Sequence, residues 1–184
     1  MLNLRPALRA SILGCPTFCF VASVVLSTAA ASGWRTLELE GLDGKQRPLA
    51  EFVGRGQWVI INIWGPKCPP CIEEMPELGS FHDTYVEGPA MVLGIAIDFP
   101  SFGYAKAGEV RAFLDDYLLD FPVLLADHSV YGKLTDGSVL PAVPTSLLYT
   151  PEGQLAVTHV GTLTQATLEA YLADRDPQFQ RAPR

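Results

Sequence analysis

Trp58-Val59-Ile60-Ile61-Asn62-Ile63 is β-branched and apolar on both faces, the pattern of a central strand covered above and below. It runs through Trp64-Gly65-Pro66-Lys67 into Cys68-Pro69-Pro70-Cys71, after which Ile72, Met75, Leu78, Phe81 and Tyr85 recur at helical spacing. A buried strand feeding a helix across a short turn therefore carries two cysteines at the helix start. Pro70 suits the first helical turn, where its missing N–H leaves nothing unpaired. The first helical N–H groups and the helix dipole then face Cys68 and favour its thiolate, the species that attacks disulfides. Cys71, one turn further along, is placed to resolve the mixed disulfide that such an attack makes. Pro76 inside the same pattern predicts a kink.

Farther along, Met91 to Ile97 reads as a second buried strand ending at Asp98, and residues 99–108 read as a loop. Val110, Phe113, Leu114, Tyr117 and Leu118 mark an amphipathic helix, and Phe121 to Leu125 a short strand. Thr145 to Tyr149 and Leu155 to Val160 form a hairpin whose turn holds Pro151 and Gly153. Leu168, Tyr171 and Leu172 give one face of a last helix. Trp34 to Leu49 is a short extended lead-in with a turn at Asp43-Gly44. The fold class that follows is α/β, a central mixed sheet with helices on both faces. Strands joined through helices are expected to be parallel, and the closing hairpin antiparallel.

The 184 residues suit one domain, over 34–173, preceded by a leader over 1–33 and followed by a flexible tail over 174–184. Arg5 and Arg9, the apolar stretch Ile12 to Leu26 and Ala29-Ala30-Ala31 make a signal peptide pattern. Ile12 to Ala31 is also long enough for an uncleaved membrane anchor, although Pro16 and several Ser and Thr favour cleavage. Export places the domain in a periplasm or cell envelope, where a dithiol oxidises unless it is kept reduced. Removing Arg5 and Arg9 with the leader takes the net charge from −7 to −9, which argues against a nucleic-acid partner.

Cys15 and Cys19 leave with the leader, so Cys68 and Cys71 are the mature domain's only cysteines. No second pair completes a structural zinc site, and a loop this short makes a poor structural disulfide. Lys67 is a cation beside Cys68 that either lowers its pKa or rests in water. Glu74, one turn past Cys71, could buffer the resolving thiol's proton. Val143-Pro144-Thr145 heads an apolar strand, where a proline disrupts no ladder and a cis bond would make a tight turn against the cysteines.

Taken together, the strand Val59 to Trp64, Cys68-Pro69-Pro70-Cys71, Glu74-Met75-Pro76, Gly94 to Asp98, Phe121-Pro122-Val123-Leu124, Val143-Pro144-Thr145 and Gly153 resemble the thioredoxin superfamily, specifically the exported branch of TlpA, ResA and CcmG-type proteins. The similarity covers about Leu42 to Leu172. It implies a thioredoxin fold in which Cys68 attacks and Cys71 resolves, with no cofactor beyond the redox-active Cys68–Cys71 disulfide and no metal. Pro144 would be a cis-proline facing the dithiol, with Val143, Pro144 and Thr145 meeting the bound partner strand. Glu74 matches a carboxylate of this branch that tunes the dithiol, and Asn62 stands where cytosolic thioredoxins carry a buried acid. Trp64 supports the motif from the strand end. Lys67 departs from the pattern, because the family usually has Trp there.

The expected activity is thiol–disulfide exchange on protein disulfides, as a reductant, since no His lies between the cysteines. Resemblance suggests apocytochrome c among the substrates, a membrane thiol carrier as electron donor, and a monomer. A Sco-like copper-binding assembly factor using both cysteines and His128 or His159 is the alternative, although such factors space their cysteines one residue wider. A peroxidase is disfavoured because Gly65 stands where a Thr or Ser is expected.

Overall fold

All seven residues of strand β3 (Trp58–Trp64) are buried, and successive side chains go to opposite faces of the sheet. Trp58, Ile60 and Trp64 enter one apolar cluster, and Val59, Ile61 and Ile63 enter another. Both faces of this strand are therefore covered, as a run that is apolar except for Asn62 requires. The computed structural model describes residues 33–177 and Phe179; apart from Gly33, the expected leader lies outside them.

β3 lies at the centre of a mixed sheet. β4 (Ala90–Asp98) pairs with it in parallel, reached through helix α1 (Pro69–Tyr85). On its other side β7 (Thr145–Tyr149) pairs antiparallel and continues through a hairpin into β8 (Leu155–Val160). β6 (Val123–Leu125) joins β4 in parallel through helix α2 (Ala107–Tyr117). β1 (Glu38–Gly41) and β2 (Gln46–Pro48) form a hairpin that caps this edge, giving the order β2-β1-β6-β4-β3-β7-β8. The expected parallel and antiparallel pairings are all present.

Helices α1 and α2, and the last helix α4 (Gln165–Arg175), cover one face. Two 3₁₀ turns, Gly33–Thr36 and Leu49–Glu51, and the short helix α3 (Val130–Leu134) cover the other.

Several expectations change in detail. The lead-in is a strand pair of the sheet, because β1 finds the free edge of β6. Part of the 99–108 loop is a strand, β5 (Gly103–Tyr104), which folds back on the end of β4. α3 has no counterpart in the sequence reading, because five residues give too little periodicity to register. The packed chain also reaches past 173: Trp58 Nε1 donates to Asp176 Oδ2 at 2.9 Å, and Phe179 is buried against Phe81 and Tyr85. Among the described residues no helix is long and apolar enough to cross a membrane.

Candidate active site

β3 delivers the chain to the cysteines through a turn that only glycine fits. A Cβ on Gly65 would stand 2.9 Å from the Ile97 carbonyl oxygen and 2.9 Å from Phe99 Cβ, both at the end of β4. This explains the missing Thr or Ser at that position in steric terms. Gly65 O accepts the Cys68 N–H at 3.0 Å, and Cys68 becomes the N-cap of α1 with extended backbone. Its Sγ accepts the Cys71 N–H at 3.3 Å, so a helix-start donor does point at the first sulfur. Pro69 and Pro70 occupy the opening positions of the helix, where no donor is lost.

Cys68 and Cys71 are joined in a disulfide, with Cα atoms 5.2 Å apart. Cys68 keeps only 1% of its surface exposed and Cys71 none, so the oxidised pair is nearly closed to solvent. Val143–Pro144 is a cis peptide, and the Val143 carbonyl oxygen lies 3.7 Å from Cys68 Sγ. The loop before β7 thus sits directly against the first cysteine. Val143 is half-buried and Pro144 buried, with the Pro144 carbonyl accepting from Gly161 N–H at 2.9 Å. Thr145 turns inward: it is fully buried, and its hydroxyl donates to the Ala142 carbonyl at 2.8 Å, which ties the loop rather than presenting a side chain to a partner.

Behind the disulfide is a buried polar network. Glu74 is 2% exposed; its Oε1 accepts from Asn62 Nδ2 and its Oε2 from Leu163 N–H, both at 2.9 Å. Burial raises its pKa to about 7, and these two hydrogen bonds pull the other way without cancelling it. A carboxyl near neutrality one turn from Cys71 can hold or release a proton at working pH. Asn62 Nδ2 also donates to Ser146 Oγ at 3.0 Å. Ser146 and the Leu163 N–H are parts of the site that the sequence reading missed. The polar pair Thr145-Ser146 at the head of the apolar run Leu147-Leu148-Tyr149 was the available signal for Ser146; a backbone N–H leaves none.

Lys67 lies beside two carboxylates. It is 51% exposed, and its ammonium pairs with Glu109 Oε2 at 3.1 Å and Asp98 Oδ1 at 3.8 Å. Hydrogen bonding to Glu109 is the largest cause of its raised pKa. The charge is thus matched by carboxylates on β4 and α2. Trp64 is a wall of the core, its ring 4.9 Å from that of Phe113. His128 and His159 are engaged elsewhere, His128 Nδ1 with the Phe102 carbonyl and His159 Nε2 with that of Thr162. Among the described residues no three His, Cys, Asp or Glu side chains group closely enough to hold a metal ion, so the copper-factor reading finds no support.

A dithiol at a helix start, a cis-proline loop against its first sulfur and a mixed sheet of this order define a thioredoxin-fold thiol–disulfide oxidoreductase. Residues 34–157 match the AhpC/TSA family, and the chain belongs to that family. It is 29% identical over 134 residues to a thiol–disulfide oxidoreductase ResA of Halalkalibacterium halodurans, spanning 73% of this chain and 70% of the relative. Among solved structures it resembles a thioredoxin-family thiol:disulfide interchange protein of Chlorobium tepidum, with TM-score 0.64 and 20% identity over 76% of this chain and 92% of the other. A secreted thiol–disulfide isomerase of Corynebacterium glutamicum matches with TM-score 0.63 and 22% identity, over 79% of this chain and 84% of the other.

Proposed function

We propose that the chain is an exported reductant of protein disulfides in the cell envelope, with apocytochrome c among its substrates and a membrane thiol carrier as its electron donor. The observation that carries this reading is Cys68 as the N-cap of α1, its sulfur accepting the Cys71 N–H beside the cis Val143–Pro144 bond. Pro69 and Pro70 between the cysteines supply no proton donor and no charge that would favour a strong oxidant. Similarity to a ResA protein and to a secreted isomerase supports both the chemistry and the location.

In the reduced chain the Cys68 thiolate, held by the Cys71 N–H, attacks one sulfur of a substrate disulfide. A mixed disulfide forms and the other substrate sulfur leaves as a thiolate. Glu74 takes the proton of Cys71, whose sulfur then attacks Cys68 Sγ. The substrate's second sulfur departs, two electrons have passed to the substrate, and the chain is left with the Cys68–Cys71 disulfide. A donor dithiol restores the starting state.

Cys71→Ala in cells tests the proposal. Without a resolving thiol, Cys68 should stay linked to its substrates, and these should be envelope proteins. A reduction potential below about −200 mV is expected, whereas one near about −120 mV overturns the assignment as a reductant.

A further inference from the structure

The sheet order sets the dithiol between two unlike neighbours. β3 carries the chain to Cys68, with β4 on one side of it and β7, then β8, on the other. On the β4 side the rim is charged: Lys67 pairs with Asp98 and Glu109, and Lys106 also pairs with Glu109. On the other side Ile63, one residue short of the end of β3, stands opposite Thr145, which stands opposite Val160. The end of β8 is therefore level with the turn to the cysteines.

This second side carries no charged side chain. Residues 137–151 and 153–168 contain no Asp, Glu, Lys or Arg, in a chain with 13 basic and 20 acidic residues. They expose apolar surface instead. Val139, in the loop that runs into β7, is 83% exposed, and Val160 is 49% exposed. Val143, in the same loop, is half-buried, and its carbonyl lies 3.7 Å from Cys68 Sγ. A single exposed valine needs no explanation. Two of them on uncharged segments, one in the loop that touches the attacking sulfur and one on the strand paired beside it, have the composition of an interface centre.

We propose that Val139 and Val160, together with Val143, receive the substrate polypeptide and select cysteines flanked by apolar, uncharged residues. This rests on the reading of the chain as acting on protein disulfides. The occupant follows from the reaction: a partner must bring its sulfur to Cys68, and the residues beside that sulfur then lie over the rim. Lys67, Asp98 and Glu109 already satisfy one another in water, so that side offers a partner little. The valines offer apolar area whose removal from water favours association. Folded proteins keep apolar residues mostly inside, so this surface fits substrates met before they fold. A second copy of this chain, with its net charge of −7, would meet like charge on approach.

The test uses the reduced protein and two peptides of equal length, each with one cysteine capped as a mixed disulfide with thionitrobenzoate. One peptide has Leu on both sides of the cysteine and the other has Ser. Cys68 Sγ attacks the peptide sulfur, a Cys68–peptide disulfide forms, the capping S–S bond breaks, and thionitrobenzoate leaves as a coloured thiolate. Each rate is divided by the same peptide's rate with glutathione, which removes intrinsic differences between the peptides. The parent should favour the Leu peptide by about fivefold, and Val139→Ser combined with Val160→Ser should bring that ratio to about one. Both side chains are exposed, and a ratio is unaffected by any loss of folded protein. Equal rates in the parent overturn the proposal, as does a ratio that the double variant leaves unmoved. If a second copy covered the valines, the preference would vanish as protein concentration rises, which also overturns it. The assay is indifferent to the direction of electron flow. A reduction potential near about −120 mV would therefore overturn the reductant reading alone.

Discussion

Glu74 couples the site to the stability of the chain. Its carboxyl is pushed from an ordinary 4.5 to about 7 by burial, so between those values the folded chain holds a proton that the unfolded chain has released. Stability from this group is full below about 4.5 and declines as pH rises to 7, by about 3 kcal/mol in total. His82 has the opposite slope. Burial lowers its pKa from 6.5, and its Nδ1 accepts the Val92 N–H at 3.1 Å, so its contribution is lost as pH falls through 6.5. The difference in unfolding free energy between the oxidised protein and Glu74→Gln cancels the His82 slope. That difference should fall by about 3 kcal/mol from pH 5 to pH 8 in denaturant titrations; a constant value would contradict the buried-carboxyl account. Lys67 should matter far less, because its charge is exposed and already matched by Glu109 and Asp98. Lys67→Ala is expected to leave stability close to that of the parent and to change the rate of Cys68 alkylation at pH 7 by less than about threefold. A tenfold slowing would show that its field reaches the sulfur after all.

The strand, turn and helix around the cysteines were legible because each obeys a local rule. Apolar residues on both faces make Trp58–Trp64 a central strand, and Pro69-Pro70 opens α1. Gly65 could be named from the sequence only as a departure from a peroxidase pattern. Its reason is tertiary: the end of β4 passes so close that a side chain has no room. Gly65→Thr should therefore displace the turn against Ile97 and Phe99, costing about 2 kcal/mol or more and slowing disulfide exchange without creating peroxidase activity. Measured stability equal to that of the parent would mean the turn yields easily. The same distinction explains what was missed at the site. Ser146 and the Leu163 N–H meet Glu74 and Asn62 only because β7, β8 and α4 fold back over α1, across separations of 84 residues for Asn62 and Ser146 and 89 for Glu74 and Leu163. No periodicity records such a meeting.

For the whole molecule, the direction of strand pairing follows from connections that the sequence reveals, parallel where a helix intervenes and antiparallel where a hairpin closes, while the strand order comes only from the structure. The C-terminal boundary does not follow. Residues after 173 are rich in charge and proline and read as a tail, yet a single aromatic is enough to dock part of it. Phe179 is 5% exposed, its ring 4.6 Å from that of Tyr85 and 6.4 Å from that of Phe81. These partners lie toward the C-terminal end of α1, while the cysteines sit at its start, about 20 Å away along a helix rising 1.5 Å per residue. Phe179→Ala should therefore separate stability from chemistry. Removing a buried ring costs about 3 kcal/mol through lost apolar contact and the space left behind. The reduction potential should stay within about 15 mV of the parent, since 30 mV already corresponds to about 1.4 kcal/mol of differential effect on the two redox states. Denaturant unfolding and equilibration with a glutathione buffer measure the two quantities on one preparation. Unchanged stability would show that Phe179 rests on the core without holding it, and a large shift in potential would show that the far end of α1 is coupled to the dithiol.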